Sequence, residues 1–133
     1  MKTYESEKVN LQKPAETVYA EISDFTQLIK VMPPQVSDWK ATPDECSFSI
    51  QGLPALSMKM VEKIPPRFVK MASAGNTPVA FSIEASLEKG DEHSCIIQFV
   101  IRADINPMLS MMLDKPLQAF VSKLAEKATQ HYS

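Results

Sequence analysis

The chain has 133 residues, 44% of them apolar and 23% charged, with 14 Lys and Arg against 16 Asp and Glu for a net charge of -2. That length suits one domain, 1–133, and the composition is that of a folded globular protein rather than a disordered one. No basic stripe exists to hold nucleic acid, and Arg67 and Arg102 are the only arginines. Three counts stand out: 10 Pro, 8 Met and only 3 Gly, where average usage gives roughly nine glycines. So few glycines argue against a phosphate-cradling loop. No apolar stretch reaches the length of a membrane span, and Met1 to Lys13 lacks the apolar core of a signal peptide. Cys46 and Cys95 read as buried, reduced thiols, and a cytoplasmic location follows by default.

Residues 3–11 read as one extended strand with Val9 and Leu11 in phase. Pro14 opens a helix whose face is Ala15, Val18, Tyr19 and Ile22, the i, i+3, i+4, i+7 spacing. Asp24 restarts the count as an N-cap, with Gln27 at capping-box spacing and Phe25, Leu28 and Ile29 as a second apolar face. Pro33 and Pro34 stop it.

From Val36 to Asp104 the period falls to two. Val36–Ala41 predicts a short strand. Cys46, Phe48 and Ile50 alternate with polar residues until Gly52-Leu53-Pro54 breaks the run. Leu56, Met58, Met60 and Ile64 form the next dry face, and Pro65-Pro66 separates it from 67–73. Val79, Phe81, Ile83, Ala85 and Leu87 precede a turn at 89–92. Cys95, Ile97, Phe99, Ile101 and Ala103 follow. This pattern predicts an antiparallel meander with one wet and one dry face. Asn106 then caps a long helix with Pro107 in its first turn. Its stripe is Leu109, Leu113, Leu117, Phe120, Val121, Leu124 and Ala128. Pro116 lies inside it and predicts a bend between 107–114 and 115–131.

The order of elements, the Pro14-Ala15-Glu16-x-Val18-Tyr19 helix opening after Val9-x-Leu11, the Ser23-Asp24-Phe25 turn with Leu28, the Met32-Pro33 stop and the helix beginning Asn106-Pro107 resemble the START-like helix-grip superfamily. That group is also called SRPBCC, or polyketide cyclase/dehydrase and lipid transport. The resemblance covers nearly the whole chain. It implies an α+β helix-grip fold: a curved antiparallel sheet of about six to seven strands around a long, Pro-kinked C-terminal helix, with two short helices after strand 1. It also implies a cavity between sheet and helix for apolar molecules.

Chemistry is sparse. His93 sits at a turn and His131 near the chain end, neither placed to serve a nucleophile. No Cys, His or carboxylate spacing suggests a metal, and no cofactor is expected. Glu62 shares the phase of Leu56, Met58 and Met60, so it is the one candidate polar group in a cavity; burial would raise its pKa. Glu5 and Glu7 share the phase of Val9 and Leu11. Arg102 falls in the polar phase, as a partner for Glu84 or Glu88. Tyr19 and Tyr132 are available as hydrogen-bond donors, and Trp39 fits either a packed core or a cavity mouth. Met58, Met60, Met71, Met108, Met111 and Met112 suggest an adaptable interior. The expected function is non-catalytic binding of a small hydrophobic or lipid-like molecule. Its expected contacts are Phe48, Met58, Met60, Phe81, Ile83, Phe99, Met108, Met112 and Phe120, with no catalytic residue. The alternatives are a cyclase, dehydratase or hydrolase using Glu62 and a tyrosine, or a co-chaperone-like interaction module.

Overall fold

A computed structural model describes residues 2–50, 55–75 and 80–133. The expected break at Gly52-Leu53-Pro54 and the strand start at Val79 lie outside them. Among the described residues eight antiparallel strands form one sheet in the order β1-β8-β7-β6-β5-β4-β3, with β2 also on β8. They are β1 (Lys2–Glu5), β2 (Val9–Leu11), β3 (Val36–Ala41), β4 (Glu45–Ile50), β5 (Leu56–Ile64), β6 (Phe68–Ser73), β7 (Ala80–Lys89) and β8 (Cys95–Asp104). Helices α1 (Ala15–Ile22) and α2 (Phe25–Leu28) and a 3-10 turn (Ile29–Val31) join β2 to β3, and α3 (Pro107–His131) closes the chain. No helix among the described residues is long and apolar enough to cross a membrane.

The eighth strand comes from a split that side-chain type did not foretell. Glu5 pairs with Val100 and Val9 with Ile97, so this edge spends one residue more than β8 does between the two pairs. Ser6 fills the irregularity: its N–H donates to the Phe99 carbonyl and its hydroxyl accepts from the Phe99 N–H, both at 2.9 Å. An extra residue reverses which side chains face inward. Tyr4 and Ser6 are therefore buried ahead of it and Leu11 after it, while Glu5 and Glu7 stay exposed. The shared phase of Glu5 and Glu7 with Val9 and Leu11 does not hold.

β5 repeats the effect. Met60 pairs with Met71 but Glu62 with Lys70, so Val61 is extra. The phase established by Leu56 and Met58 ends there. β3 slips between Ser37 and Lys40, with Asp38 at φ 54, a left-handed conformation that short polar side chains tolerate.

The helices follow their patterns. α1 buries Ala15, Val18, Tyr19 and Ile22. Asp24 caps α2 by accepting from the Thr26 N–H at 2.9 Å, with Thr26 rather than Gln27 as its side-chain partner. Asn106 caps α3 by accepting from the Leu109 N–H at 2.8 Å. α3 runs as one continuous helix with Pro116 inside it, its two stretches joined rather than separated. Proline lacks the N–H that would meet the carbonyl four residues earlier, that of Met112.

Candidate functional site

α3 has two unlike halves. Phe120, Val121, Leu124, Ala125 and Ala128 are buried against β8, β2 and the 3-10 turn. Each fully buried large apolar side chain among them contributes about 1.5–3 kcal/mol. None of residues 107–119 is fully buried. The difference arises because α1, α2 and the 3-10 turn fill the space between sheet and helix at one end of the molecule. At the other end, among the described residues, no helix lies between them.

A cavity of about 120 Å³ occupies that end. Phe48 and Ile50 of β4, Leu56 of β5, Phe81 and Ile83 of β7, and Ile101 and Ala103 of β8 form its floor and walls. Leu113, Pro116, Leu117 and Phe120 of α3 form its roof. Among the described residues every lining side chain is apolar. Beside it the Tyr4 hydroxyl, across the strand pair from Ile101, donates to the Asp114 carboxylate at 2.6 Å. Burial, then the Asp114 carboxylate, raise the Tyr4 hydroxyl to about 12. Lys2 stands 3.6 Å from the same carboxylate, and the Gln118 amide donates to the Glu5 carbonyl at 3.0 Å. A hydrogen bond to a charged partner is worth about 1.5–3 kcal/mol and an exposed ion pair less than about 1, so the first half of α3 is held less firmly than the packed half.

Of the expected contacts, Phe48, Phe81, Ile83 and Phe120 meet around the cavity. Met58 and Phe99 are fully buried in the core away from it, and Met60 is half-buried outside it. Met108 and Met112 are 78% and 71% exposed, and Met111 is 85% exposed, so this methionine cluster lines nothing. The leucines of α3 recur at 109, 113 and 117, and the last two line the cavity. Met108 and Met112 sit one residue earlier in each turn, about 100° around the helix. Glu62 is exposed, because the extra residue Val61 turns it away from the dry face. The candidate acid or base is thereby removed.

Sequence reasoning left out Ile50, Leu56, Ile101, Ala103, Leu113, Pro116 and Leu117 as site residues. All but Pro116 lay in the apolar phases already recognised, and Pro116 was noted only as a bend. Trp39 packs between Phe25 and Phe48, with ring centroids at 6.3 and 5.4 Å, and its Nε1 donates to the Phe25 carbonyl at 3.0 Å. It is a core aromatic rather than a cavity mouth. Arg102 pairs with Glu84 at 2.8 Å.

The remaining titratable groups lie elsewhere. Cys46 and Cys95 are buried and unbonded, and burial pushes both thiols up, Cys46 to about 12, away from the reactive thiolate. Tyr132 shares the Glu21 carboxylate with Lys30 and His131, which ties the end of α3 to α1. No cluster of metal-ligating side chains occurs among the described residues.

A curved antiparallel sheet gripping a long C-terminal helix over an apolar cavity defines a helix-grip fold. Solved structures share it. XoxI from Bacillus cereus superposes with a TM-score of 0.78 at 12% identity, over 99% of this chain and 96% of that one. A protein from Thermobifida fusca does so at 0.69 and 20% identity, over 98% and 95%. Norcoclaurine synthase from Thalictrum flavum, in complex with dopamine and hydroxybenzaldehyde, gives 0.69 and 12% identity, over 99% and 88%. No family model matches the chain, and no curated protein matches it.

Proposed function

We propose that the protein binds a small apolar molecule in the cavity under α3 without transforming it. One observation carries this reading: among the described residues the cavity lining contains no titratable, nucleophilic or hydrogen-bonding side chain. Such a site gives affinity through burial of apolar surface and little orientation. Its size sets the ligand class. Drug-sized ligands take roughly 300–1,000 Å³, whereas an apolar cavity of about 150 Å³ holds benzene or xenon. At about 120 Å³ the cavity suits a single ring or a short branched chain, and a lipid would need the roof raised. The complex of norcoclaurine synthase with dopamine and hydroxybenzaldehyde, both single-ring aromatics, supports this size class. An enzymatic role is not favoured, since Glu62 faces solvent and the nearby Tyr4 hydroxyl is engaged by Asp114.

Titration with benzene, followed by NMR of the Ile83, Ile101 and Leu113 methyl groups, tests the reading. Shifts confined to cavity methyls are expected in the natural sequence. Ala103→Leu, which fills the cavity from its floor, should abolish them in a folded protein. Absence of any shift at benzene saturation overturns the assignment.

A further inference from the structure

We propose that the cavity selects a planar aromatic ring over a saturated group of the same size, and that Trp39, which does not line it, positions its wall for this. The proposal rests on the binding reading above and decides between the two ligand shapes that the volume admits. Three of the described lining residues are phenylalanines, and they stand on three different elements: Phe48 on β4, Phe81 on β7 and Phe120 on α3. At about 120 Å³ the cavity holds one ring, so a ligand that fills it lies within reach of all three. An aromatic ring gains from edge or offset contact with another beyond the area it buries, because the positive edge of one meets the negative face of the other. A saturated group has no such quadrupole and gains from burial alone.

Phe48 is the ring best fixed for that contact. The Trp39 indole lies against it, with centroids 5.4 Å apart and planes tilted by 30°. The indole is itself held. Its Nε1 donates to the Phe25 carbonyl at 3.0 Å, and the Phe25 ring stands 6.3 Å from it. Phe25 in turn is fully buried, and its N–H donates to the Pro43 carbonyl at 3.2 Å. Rings from α2, β3 and β4 thus form one chain of contacts that ends at the cavity wall. Turning the Phe48 ring means displacing an anchored indole. A wall ring fixed before the ligand arrives spares the cost of ordering it on binding. Phe81 and Phe120 take part in no ring pair among the described residues, which leaves them for the ligand. Trp39 touches no ligand and acts through Phe48.

Affinities for benzene and for cyclopentane, a saturated ring of similar size, follow from titrations read at the cavity methyl groups. Each is divided by that probe's own partition from water into hexadecane, which removes the hydrophobic part. In the natural sequence the scaled affinity should favour benzene by roughly two- to tenfold, the worth of a ring–ring contact. Equal scaled affinities overturn the preference and leave the binding reading standing. Shifts from neither probe overturn the binding reading itself. Phe81→Leu, at a half-buried position, keeps the wall apolar and should lower the preference. Trp39→Leu should lower it by roughly twofold or more, and Trp39→Phe, which returns a ring behind Phe48, should restore most of it. Trp39→Met, unbranched and adaptable, takes the place of Trp39→Leu if that variant does not fold. A merely structural Trp39 would weaken both probes alike. An unchanged preference in folded Trp39→Leu or Trp39→Met therefore overturns the positioning role.

Discussion

Glu62 of β5 stands opposite Lys70 of β6 in the sheet register, turned away from the dry face. An exposed cross-strand pair of opposite charge contributes about 0.2–1 kcal/mol. Glu62→Gln should therefore move the urea midpoint only slightly, within about 0.5 kcal/mol of stability. Benzene affinity should not change at all. A large loss of binding in this variant would restore Glu62 to the site.

Ser6 predicts the opposite behaviour. Its hydroxyl accepts the buried Phe99 N–H at 2.9 Å where β1 gives way to β2, and its carbonyl accepts from the Gln98 amide at 2.9 Å. Ser6→Ala leaves the Phe99 N–H without that acceptor. A buried donor left unpaired costs about 1–3 kcal/mol. Denaturant unfolding should show a loss in that range, whereas Glu7→Ala, on the exposed neighbour, should show almost none.

These two residues also explain which parts of the molecule could be read in advance. Helix faces such as Ala15, Val18, Tyr19 and Ile22 follow from a fixed local period, and nothing interrupts it. Phe48, Phe81 and Ile83 were legible because their strands keep phase over the stretch that matters. Glu62, Glu5 and Glu7 were misplaced because one extra residue, at Val61 and next to Ser6, reverses the phase, and neither residue type announces a bulge. Four of the eleven described lining residues were legible as contacts, and the emptiness of the cavity was not. Whether facing apolar side chains meet depends on how far α3 stands from the sheet. That spacing is set at the far end of the molecule by α1, α2 and the 3-10 turn.

The Tyr19 hydroxyl is buried with no hydrogen-bond partner among the described residues. Burying an unpaired hydroxyl costs about 1–3 kcal/mol by mutational scales. Tyr19→Phe keeps the ring that packs in the α1 face and removes the unpaired group. Thermal unfolding should therefore show a protein as stable as the natural one or more stable by about 1 kcal/mol. A loss of more than that would reveal a partner for the hydroxyl.

The methionines should separate under mild oxidation. Met58 and Met71 are each 1% exposed, whereas Met108, Met111 and Met112 stand in water. Susceptibility to sulfoxide formation follows access. Peptide mass mapping after dilute hydrogen peroxide should find Met108, Met111 and Met112 modified first, with the fold retained. Early oxidation of Met58 or Met71 would contradict the buried core.

Stability should fall at both ends of the pH scale for different reasons. Four groups are held neutral by the fold. Burial raises Cys46 from 9.0 and, with Asp114, Tyr4 from 10.0, each to about 12. Burial raises Cys95 and Tyr132 as well, helped by Glu16 and Glu21 respectively. A raised pKa in the folded state means that the unfolded chain releases these protons first. Their contribution is complete below the unfolded values of 9.0 and 10.0 and is lost as pH climbs from there toward about 12. Glu21 has the reverse sign. Burial pushes it up, but hydrogen bonds from Lys30 and Tyr132 and the nearby His131 outweigh that and hold it below its usual 4.5. Its contribution is present above that value and lost as pH falls through its lowered folded value. Denaturant midpoints measured across pH should therefore trace a plateau with an alkaline limb that Tyr132→Phe makes shallower. The same variant removes one donor from Glu21, so the acid limb should also flatten. An alkaline limb identical in Tyr132→Phe would show that the hydroxyl ionises as freely in the folded chain as in the unfolded one.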